Sequence, residues 1–287
     1  MVNGILLVDK PSGWTSNDVV QKLRGILKER RIGHAGTLDP LATGLLTVFV
    51  GRATRAVEYA EGDRKRYTAA LRLGMVTDTL DITGTVLKEQ PVPAIAEQDF
   101  LSVLDRFRGP QMQIPPMYSA VKVNGRRLYQ LARRGEEAER KPRRIEIFSL
   151  ELKTFHPEEA VLDICCSKGT YIRSLCHDIG TAIGCGACMS ALRRTEAGFF
   201  NVENACTLEQ IAAGDYCLLP VESLFSDCPA ANISVRDEYR LRNGQTFASE
   251  LPDGRYRLYG NCGEFLALAE VLSGQVQIKK RFYEVTT

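Results

Sequence analysis

Strand-like and helix-like segments follow one another in this chain without a regular alternation. Period-two or β-branched patterns predict strands at 4–8, 45–50, 67–73, 83–87, 145–152 and 160–166. Helical periodicity predicts one helix that Thr15 or Ser16 caps, and further helices at 96–108, 128–134 and 171–183. A doubly wound parallel sheet needs alternating strands and helices. The order therefore predicts an α/β fold of the α+β type, with a mixed, largely antiparallel central sheet flanked by helices.

The chain of 287 residues has room for one large domain and a smaller one. A boundary is predicted near Asp227-Cys228-Pro229, which divides the chain into residues 1–228 and 229–287. The second part contains Asn243-Gly244, Pro252-Asp253-Gly254 and Asn261-Cys262-Gly263 between short apolar stretches. Such punctuation is typical of small β-hairpins, so a compact β-rich appendage is expected there.

Nine cysteines raise the question of compartment. The apolar run 5–8 is shorter than the roughly 7–15 residues of a signal-peptide core, which favours a cytoplasmic protein with reduced thiols. No apolar stretch approaches the ~20 residues that span a bilayer, so no membrane role is expected. Nothing in the chain demands a partner subunit, and a monomer is expected.

Positive charge is clustered, although the net charge is only +2. Segment 122–144 holds nine Lys or Arg against three Glu, segment 22–31 holds five against one, and Arg64-Lys65-Arg66 stands directly before Tyr67. Clustered cations suit a polyanion, because each neutralised phosphate releases counterions. A single cluster is commonly only a solvated face. Three clusters, the largest with tyrosines beside it and within it, favour a nucleic-acid partner.

One carboxylate lies in a loop that is rich in glycine, threonine and proline, in the run RIGHAGTLDPLATG of residues 31–44. The loop glycines permit backbone angles closed to other residues, and Pro40 fixes its own φ and restricts Asp39. Asp39 is therefore a candidate for chemistry, whereas its simplest role is to cap a turn. His34, five residues upstream, is by default a loop histidine that backbone hydrogen bonds satisfy.

Three familiar chemistries find no support. Cys185 and Cys188 have the spacing of half a zinc site, but no second pair follows, and no metal is expected. The glycine-rich loop lacks the ending of a P-loop, and no dinucleotide fingerprint follows a strand, so no nucleotide cofactor is indicated. No nucleophile elbow accompanies the three histidines, which leaves a hydrolase triad unsupported.

Five ordered motifs together resemble the TruB family of tRNA pseudouridine synthases. They are Lys10-Pro11-Ser12-Gly13-Trp14-Thr15-Ser16, the stretch 33–46 around Asp39, Lys65-Arg66-Tyr67, Gly169-Thr170-Tyr171-Ile172-Arg173-Ser174-Leu175 and Leu192-Arg193-Arg194. The resemblance covers about the first 200 residues, and the C-terminal fifth is only loosely similar to the family's PUA-type RNA-binding domain.

The resemblance implies the pseudouridine synthase fold and the cofactor-free isomerisation of one uridine in the T loop of tRNA, at position 55 in tRNA numbering. The target base leaves the RNA stack, its bond from N1 to C1′ breaks, the uracil turns, and C5 bonds to C1′. Segment 122–144 resembles an RNA-gripping insertion of the family, with Asn124-Gly125 as a turn. The T arm of tRNA is the implied partner.

The same resemblance implies a role for each site residue. Asp39 matches the catalytic aspartate, which attacks C1′ or removes the 2′-proton. Arg173 matches an arginine that pairs with this carboxylate and favours its charged form.

The other matches concern the substrate. Tyr67 matches a tyrosine that stacks on the target base and can receive the C5 proton. His34 matches an RNA contact, and Tyr171 and Leu192 match the lining of the uridine pocket, although core positions suit both equally well. Lys10 is expected to support the catalytic loop or bind a phosphate.

Two alternatives remain at this point. An RNA-binding or tRNA-folding protein would keep the basic surface without turnover, and a carboxylate-dependent nucleoside hydrolase would release the free base. A pure binder has no need of an acid that faces RNA phosphates, so Asp39 is the residue that separates the first alternative from an enzyme.

Overall fold

A computed structural model describes residues 2–60, 64–123 and 125–283. In chain order the strands are β1 Gly4–Lys10, β2 Ile32–Ala35, β3 Thr43–Val50, β4 Arg64–Leu73, β5 Met75–Thr77, β6 Val86–Glu89, β7 Gly109–Gln113, β8 Lys122–Val123, β9 Arg126–Arg127, β10 Arg143–His156, β11 Glu159–Ser167, β12 Ala187–Ala197, β13 Phe200–Asn201, β14 Ala230–Asn232, β15 Phe247–Ala248, β16 Gly254–Tyr259, β17 Phe265–Leu272 and β18 Gln275–Arg281. The α-helices are α1 Ser16–Leu27, α2 Glu97–Asp105, α3 Leu128–Ala132, α4 Ile172–Ile183, α5 Leu208–Ala212 and α6 Val235–Arg242.

Nine of these strands form one mixed sheet. Its path runs β1-β3-β12-β4-β11-β10-β7, with β2 beside β3 and β13 beside β12. In this sheet β12 pairs with β3 in parallel, and every other pairing given for the described strands is antiparallel. The prediction of a mixed, largely antiparallel sheet with helices is therefore confirmed.

Most predicted elements are found within one to three residues of their expected ends, but the strand predicted at 83–87 is partly wrong. Strand β6 begins only at Val86. The preceding residues form a turn, because the Asp81 carboxylate accepts from the Thr83 amide and Asp78 accepts from the Thr85 amide. These side-chain acceptors replace the strand ladder that the β-branched threonines suggested.

Packing on both sides of β1 connects the two sheets of the protein. Leu6 and Val8 face a cluster that contains the apolar side of α1, whereas Ile5 and Leu7 face the opposite cluster. This second cluster includes Phe265, which lies in the smaller sheet. Alternate residues of a strand point to opposite faces, so β1 is buried on both.

The smaller sheet takes all five of its strands from residues 230–281, in the order β14-β16-β17-β18-β15. This agrees with the β-rich C-terminal part that the sequence predicts, while the division at 228/229 stays a prediction. Asn243-Gly244 does not join two strands, because it follows α6. No helix in the described part of the chain is long and apolar enough to cross a membrane.

Among the glycines in the strands of the larger sheet, Gly44 in β3 is the position where a side chain should cost most. It has a φ of +94°, and a Cβ atom there would lie 2.3 Å from the Arg194 carbonyl oxygen and 2.9 Å from its amide nitrogen. Gly184 has nearly the same φ, +96°, with no atom near its Cβ position. We expect Gly184→Ala to lower the free energy of unfolding by about 1–2 kcal/mol, and Gly44→Ala to lower it by about 2 kcal/mol more. Urea titrations measure both, and equal losses would show that the strand backbones separate without cost.

Candidate active site

The loop that joins β2 to β3 presents the Asp39 carboxylate on a fixed backbone. The Ser16 hydroxyl donates to the Leu38 carbonyl at 3.1 Å and accepts from the Leu38 amide at 2.9 Å. The Gly13 amide donates to the Pro40 carbonyl at 2.8 Å. The Asp39 side chain nevertheless stays 37% exposed. Hydrogen bonds therefore fix the backbone of the loop, while its carboxylate remains accessible to a ligand.

Lys10 holds the same loop from inside the protein. Its fully buried ammonium donates to the carbonyls of Pro11 at 2.9 Å, Trp14 at 2.6 Å and Pro40 at 3.3 Å. Burial lowers the pKa of Lys10 to about 8, and the negative charge of Asp39 opposes this shift. Three donors match three carbonyls, which fits the expected support of the loop. All three partners are backbone carbonyls, and this geometry does not favour the alternative role of Lys10 in binding a phosphate.

Arg173 grips the carboxylate of Asp39 through two nitrogens. Its Nε lies 3.0 Å from Oδ2, and its Nη2 donates to Oδ1 at 3.1 Å. The guanidinium also donates to the carbonyls of Thr79 at 3.0 Å and Tyr118 at 2.8 Å, and the residue is only 5% exposed. Two charge-assisted contacts on a buried arginine fix the orientation of the carboxylate.

A second carboxylate beside Arg173, that of Asp81, was missed by the sequence reasoning. It is 5% exposed, and its Oδ2 lies 3.8 Å from Arg173 Nη1. Its Oδ1 accepts from the Thr79 hydroxyl at 2.9 Å, the Thr83 hydroxyl at 2.5 Å and the Thr83 amide at 3.0 Å. Arg173 therefore stands between an exposed carboxylate and a buried one. The sequence did contain one signal for this buried carboxylate, since threonines stand two residues before and two residues after Asp81 and can donate hydrogen bonds to it.

The start of α4 is fixed by a side chain from β7. Gln113 accepts from the Tyr171 amide at 2.8 Å and donates to the Tyr171 carbonyl at 3.0 Å. Tyr171 is the N-cap residue of the helix, and Ser174 is tied to the Ile114 carbonyl at 3.0 Å. These bonds set the position of Arg173, which lies in the first turn. Gln113 is a further contributor that the sequence did not single out.

Tyr67 and Leu192 lie on the adjacent strands β4 and β12. Both are 7% exposed, and both belong to the core cluster that includes Leu38 and Ala42 of the Asp39 loop. Burial raises the pKa of Tyr67, so its hydroxyl is protonated at neutral pH. Tyr67 and Leu192 therefore pack in the same core cluster as the Asp39 loop, where Leu192 is equally suited to a purely structural role.

His34 lies on the short strand β2, opposite Val48. Its Nδ1 is buried without a hydrogen-bond partner, so the default expectation of a histidine satisfied by backbone bonds is not met at this atom. Burial lowers the pKa of His34, and the positive charge of Arg194 lowers it further. The imidazole is consequently neutral at pH 7.

The basic segment 122–144 starts close to this site. It carries the small hairpin β8–β9 and helix α3, and the guanidinium of Arg133 lies 5.6 Å from the ring centre of Tyr129. A hydrogen bond from the Tyr129 amide to the Ser119 carbonyl connects the segment to the residues just before it. Asn124 of the predicted turn lies outside the described residues, and Gly125 has a φ of +80°. The Tyr118 carbonyl, which Arg173 contacts, thus links the segment to the carboxylate.

Two of the predicted cationic positions are less available than the sequence suggested. Arg66 contacts Asp163 at 2.5 Å and Glu196 at 3.5 Å, and Arg64 lies 4.5 Å above the ring of Phe148. Charge of the Arg64-Lys65-Arg66 cluster is therefore partly neutralised within the protein. Among the described residues, no three His, Cys, Asp or Glu side chains form a group that could hold a metal ion.

Comparison with family models gives two matches. Residues 24–172 match the model described as TruB family pseudouridylate synthase, N-terminal domain. Residues 173–226 match the model described as tRNA pseudouridylate synthase B C-terminal domain. The junction of the two models falls at Arg173.

Relatives that are named tRNA pseudouridine synthase B align with most of the chain. A tRNA pseudouridine synthase B of Heliobacterium mobile is 43% identical over 282 residues, which is 94% of this chain and 91% of the relative. One from Heliobacterium modesticaldum is 47% identical over 249 residues, 85% of this chain and 81% of the relative.

Solved structures show the same fold. A Cbf5-Nop10-Gar1 complex contains a chain with a TM-score of 0.72 and 25% identity, over 98% of this chain and 85% of that one. An H/ACA RNP bound to a substrate RNA containing 2′-deoxyuridine contains one with a TM-score of 0.72 and 24% identity, over 98% and 86%.

Proposed function

The chain belongs to the TruB family of pseudouridylate synthases, and we propose that Asp39 is its catalytic carboxylate and that its target is uridine 55 in the T loop of tRNA. The protein is an isomerase that converts uridine in tRNA to pseudouridine. The relatives' names do not include the position in the T loop, nor do they include residue roles. These finer points are our proposal.

One observation supports the role of Asp39 above all others. Its carboxylate is 37% exposed, yet both of its oxygens are gripped by Arg173, whose side chain is only 6% exposed. A carboxylate that serves stability alone has no need to remain accessible. A nucleophile or base must be accessible and rigid at the same time, because misplacement by about 1 Å can cost 10²-fold in rate.

The reaction assigns work to this geometry. The bond from N1 to C1′ of the target uridine breaks, the uracil turns, and a bond from C5 to C1′ forms. Asp39 assists departure of the base either by attack at C1′ or by removal of the 2′-proton, and its accessible side chain suits both routes. Arg173 keeps the carboxylate aimed at the sugar. Tyr67 stacks on the base, Tyr171 and Leu192 line the pocket, and His34 contacts the RNA.

A uridine within a folded T loop must leave the stack before it can meet Asp39. Flipping costs a few kcal/mol, which phosphate and stacking contacts compensate. The basic segment 122–144, with Arg133 beside Tyr129, provides both kinds of contact. We therefore propose that this segment grips the T arm. We further propose that the enzyme is a cytoplasmic protein and a monomer, and light scattering of the free protein would test the oligomeric state.

A T-arm stem-loop transcript tests the proposed target. We expect the protein to form one pseudouridine per RNA, at position 55, and none in the same RNA with cytidine at that position. An anticodon-arm stem-loop of equal length is the matched control and should remain unmodified. Reverse-transcription stops after carbodiimide treatment map the product.

Other outcomes point to the alternatives. Release of free uracil would identify a nucleoside hydrolase. Tight binding of the T arm without any product would identify an RNA-binding protein without turnover. Pseudouridine at another position would contradict the T-loop assignment and leave the isomerase activity intact.

A further inference from the structure

Arg194 is a buried cation that no carboxylate neutralises among the residues the structure describes. The residue is 1% exposed. Its Nε donates to the Leu45 carbonyl at 2.7 Å, and its Nη2 donates to the Gly36 carbonyl at 2.8 Å. These two carbonyls stand on either side of the Asp39 loop. The guanidinium therefore clamps both ends of the loop that presents the catalytic carboxylate.

The third nitrogen of this guanidinium is left unused. Nη1 is buried and has no hydrogen-bond partner. A Cβ atom at Gly36 would lie 3.1 Å from Nη1, so the glycine, with a φ of +65°, keeps this space open. A buried donor without an acceptor costs stability, and a clamp needs only the two carbonyl contacts. The unused donor thus points to an acceptor that gains charge during the reaction.

Tyr67 is the neighbour that can supply such an acceptor. Tyr67 and Arg194 are directly paired across β4 and β12. Opposite residues of antiparallel strands share a face, with Cβ atoms about 4.5–5.5 Å apart. Burial raises the pKa of Tyr67, whereas the positive charge of Arg194 lowers it and the negative charge of Asp39 raises it. Arg194 therefore favours a phenolate at Tyr67, and burial and the Asp39 carboxylate oppose it.

The proton balance of the proposed reaction requires a phenolate if Tyr67 is to act as a base. The electrons of the N1–C1′ bond leave with N1, which must gain a proton. The C5=C6 electrons then form the C5–C1′ bond, and C5 must lose its proton to restore the double bond. Turning the uracil brings C5 to the place where N1 stood. One hydroxyl can thus give its proton to N1 and later take the proton from C5.

We propose that Arg194 is a positioning residue for Tyr67, whose oxygen accepts a hydrogen bond from Nη1 while it is a phenolate between these two proton transfers. The inference rests on the proposed function. It assigns two tasks to one guanidinium: Nε and Nη2 keep the Asp39 loop in place, and Nη1 stabilises the charge on the phenol oxygen. No other nitrogen of Arg194 is free for the second task.

The test compares Arg194→Met with Arg193→Met in single turnovers on the T-arm RNA. Arg193 is the next residue on the same strand and pairs with Asp9 instead. We expect Arg194→Met to lower the rate by about 10²-fold or more, and Arg193→Met to lower it less than about threefold. The test also measures the kinetic isotope effect of deuterium at C5 of the target uridine. This isotope effect should be at least about twofold larger in Arg194→Met than in the wild type, because removal of the C5 proton becomes rate-limiting in the variant.

A purely structural role predicts a different pattern. If the rate of Arg194→Met falls without any larger isotope effect, Arg194 is only a clamp and the inference is wrong. In the Tyr67→Phe background, Arg194→Met should lower the rate by a much smaller factor than it does in the wild type. If the two losses of rate are fully additive in free energy, the inference is also wrong. If Arg194→Met is unfolded, Arg194→Lys replaces it: a raised isotope effect supports the inference, and wild-type rate and isotope effect contradict it. An inactive wild type would instead refute the proposed function.

Discussion

Asp39→Asn should abolish pseudouridine formation while the protein stays folded and binds RNA. We expect a single-turnover rate at least about 10⁴-fold below that of the wild type, the scale on which loss of a central catalytic group acts. Asparagine keeps the shape of the side chain and one oxygen that Arg173 can donate to. It is neither a nucleophile nor a base at neutral pH, so it fails on both chemical routes left open for the aspartate.

Folding and RNA affinity separate this effect from damage to the structure. Arg173 keeps its bonds to the Thr79 and Tyr118 carbonyls and its proximity to Asp81. Filter binding should show unchanged or tighter T-arm binding, since a negative charge near RNA phosphates is removed. Thermal unfolding should remain cooperative in the variant.

The matched control is Asp9→Asn. Asp9 accepts from Arg193 at 3.0 and 2.7 Å, which is a second two-point pair of aspartate and arginine in the same sheet. Its loss should leave the rate within about threefold of the wild type, as expected for a partly exposed pair. If Asp39→Asn retains a rate similar to that of Asp9→Asn, Asp39 is not the catalytic group.

Elements with a clean local pattern could be predicted from the sequence. The structure contains the N-cap of α1 that the sequence predicts. It also contains the predicted strands β3 and β11 and helix α4, all of which have a recognisable pattern of apolar residues. The loop around Asp39 was also recognisable, because its glycines permit backbone angles closed to other residues and Pro40 fixes its own φ, whatever surrounds them. In these segments the local preference and the tertiary structure agree.

Strand β12 was missed although it lies at the centre of the larger sheet. Its pairing with β4 shifts register between Met189 and Ala191 and again between Arg194 and Glu196. Each irregularity interrupts the period-two alternation on which strand prediction depends. The charged residues near its end further disguise a strand in which Arg194 is almost fully buried.

Partners that are distant in sequence account for the rest of what was missed. Asp81 meets Arg173 only in the folded chain, and the carbonyls that hold Arg194 come from Gly36 and Leu45. Backbone carbonyls carry no sequence signature. A buried cation satisfied by them is therefore invisible to motif or charge analysis, even when the residue lies within a recognised motif.

Arg173→Lys should slow the chemical step although it preserves the charge. Arginine contacts both oxygens of Asp39 and two carbonyls at once, whereas a lysine has one nitrogen and cannot reproduce this planar fork. We expect a rate about 10²–10³-fold below wild type at saturating RNA, because the carboxylate loses its fixed orientation. Single-turnover assays over a range of enzyme concentrations give both the limiting rate and the RNA affinity.

The control for this substitution is Arg66→Lys, since Arg66 also bridges two carboxylates, those of Asp163 and Glu196. It should leave the limiting rate within about threefold of the wild type, because neither of its partners belongs to the proposed site. Arg173 also reaches the carbonyl of Tyr118, which lies just before the basic segment, so its replacement can weaken RNA binding as well. If Arg173→Lys loses only affinity and reaches the wild-type rate at saturation, its main task is to anchor that segment. A lowered limiting rate instead identifies Arg173 as the residue that aims Asp39 at the ribose.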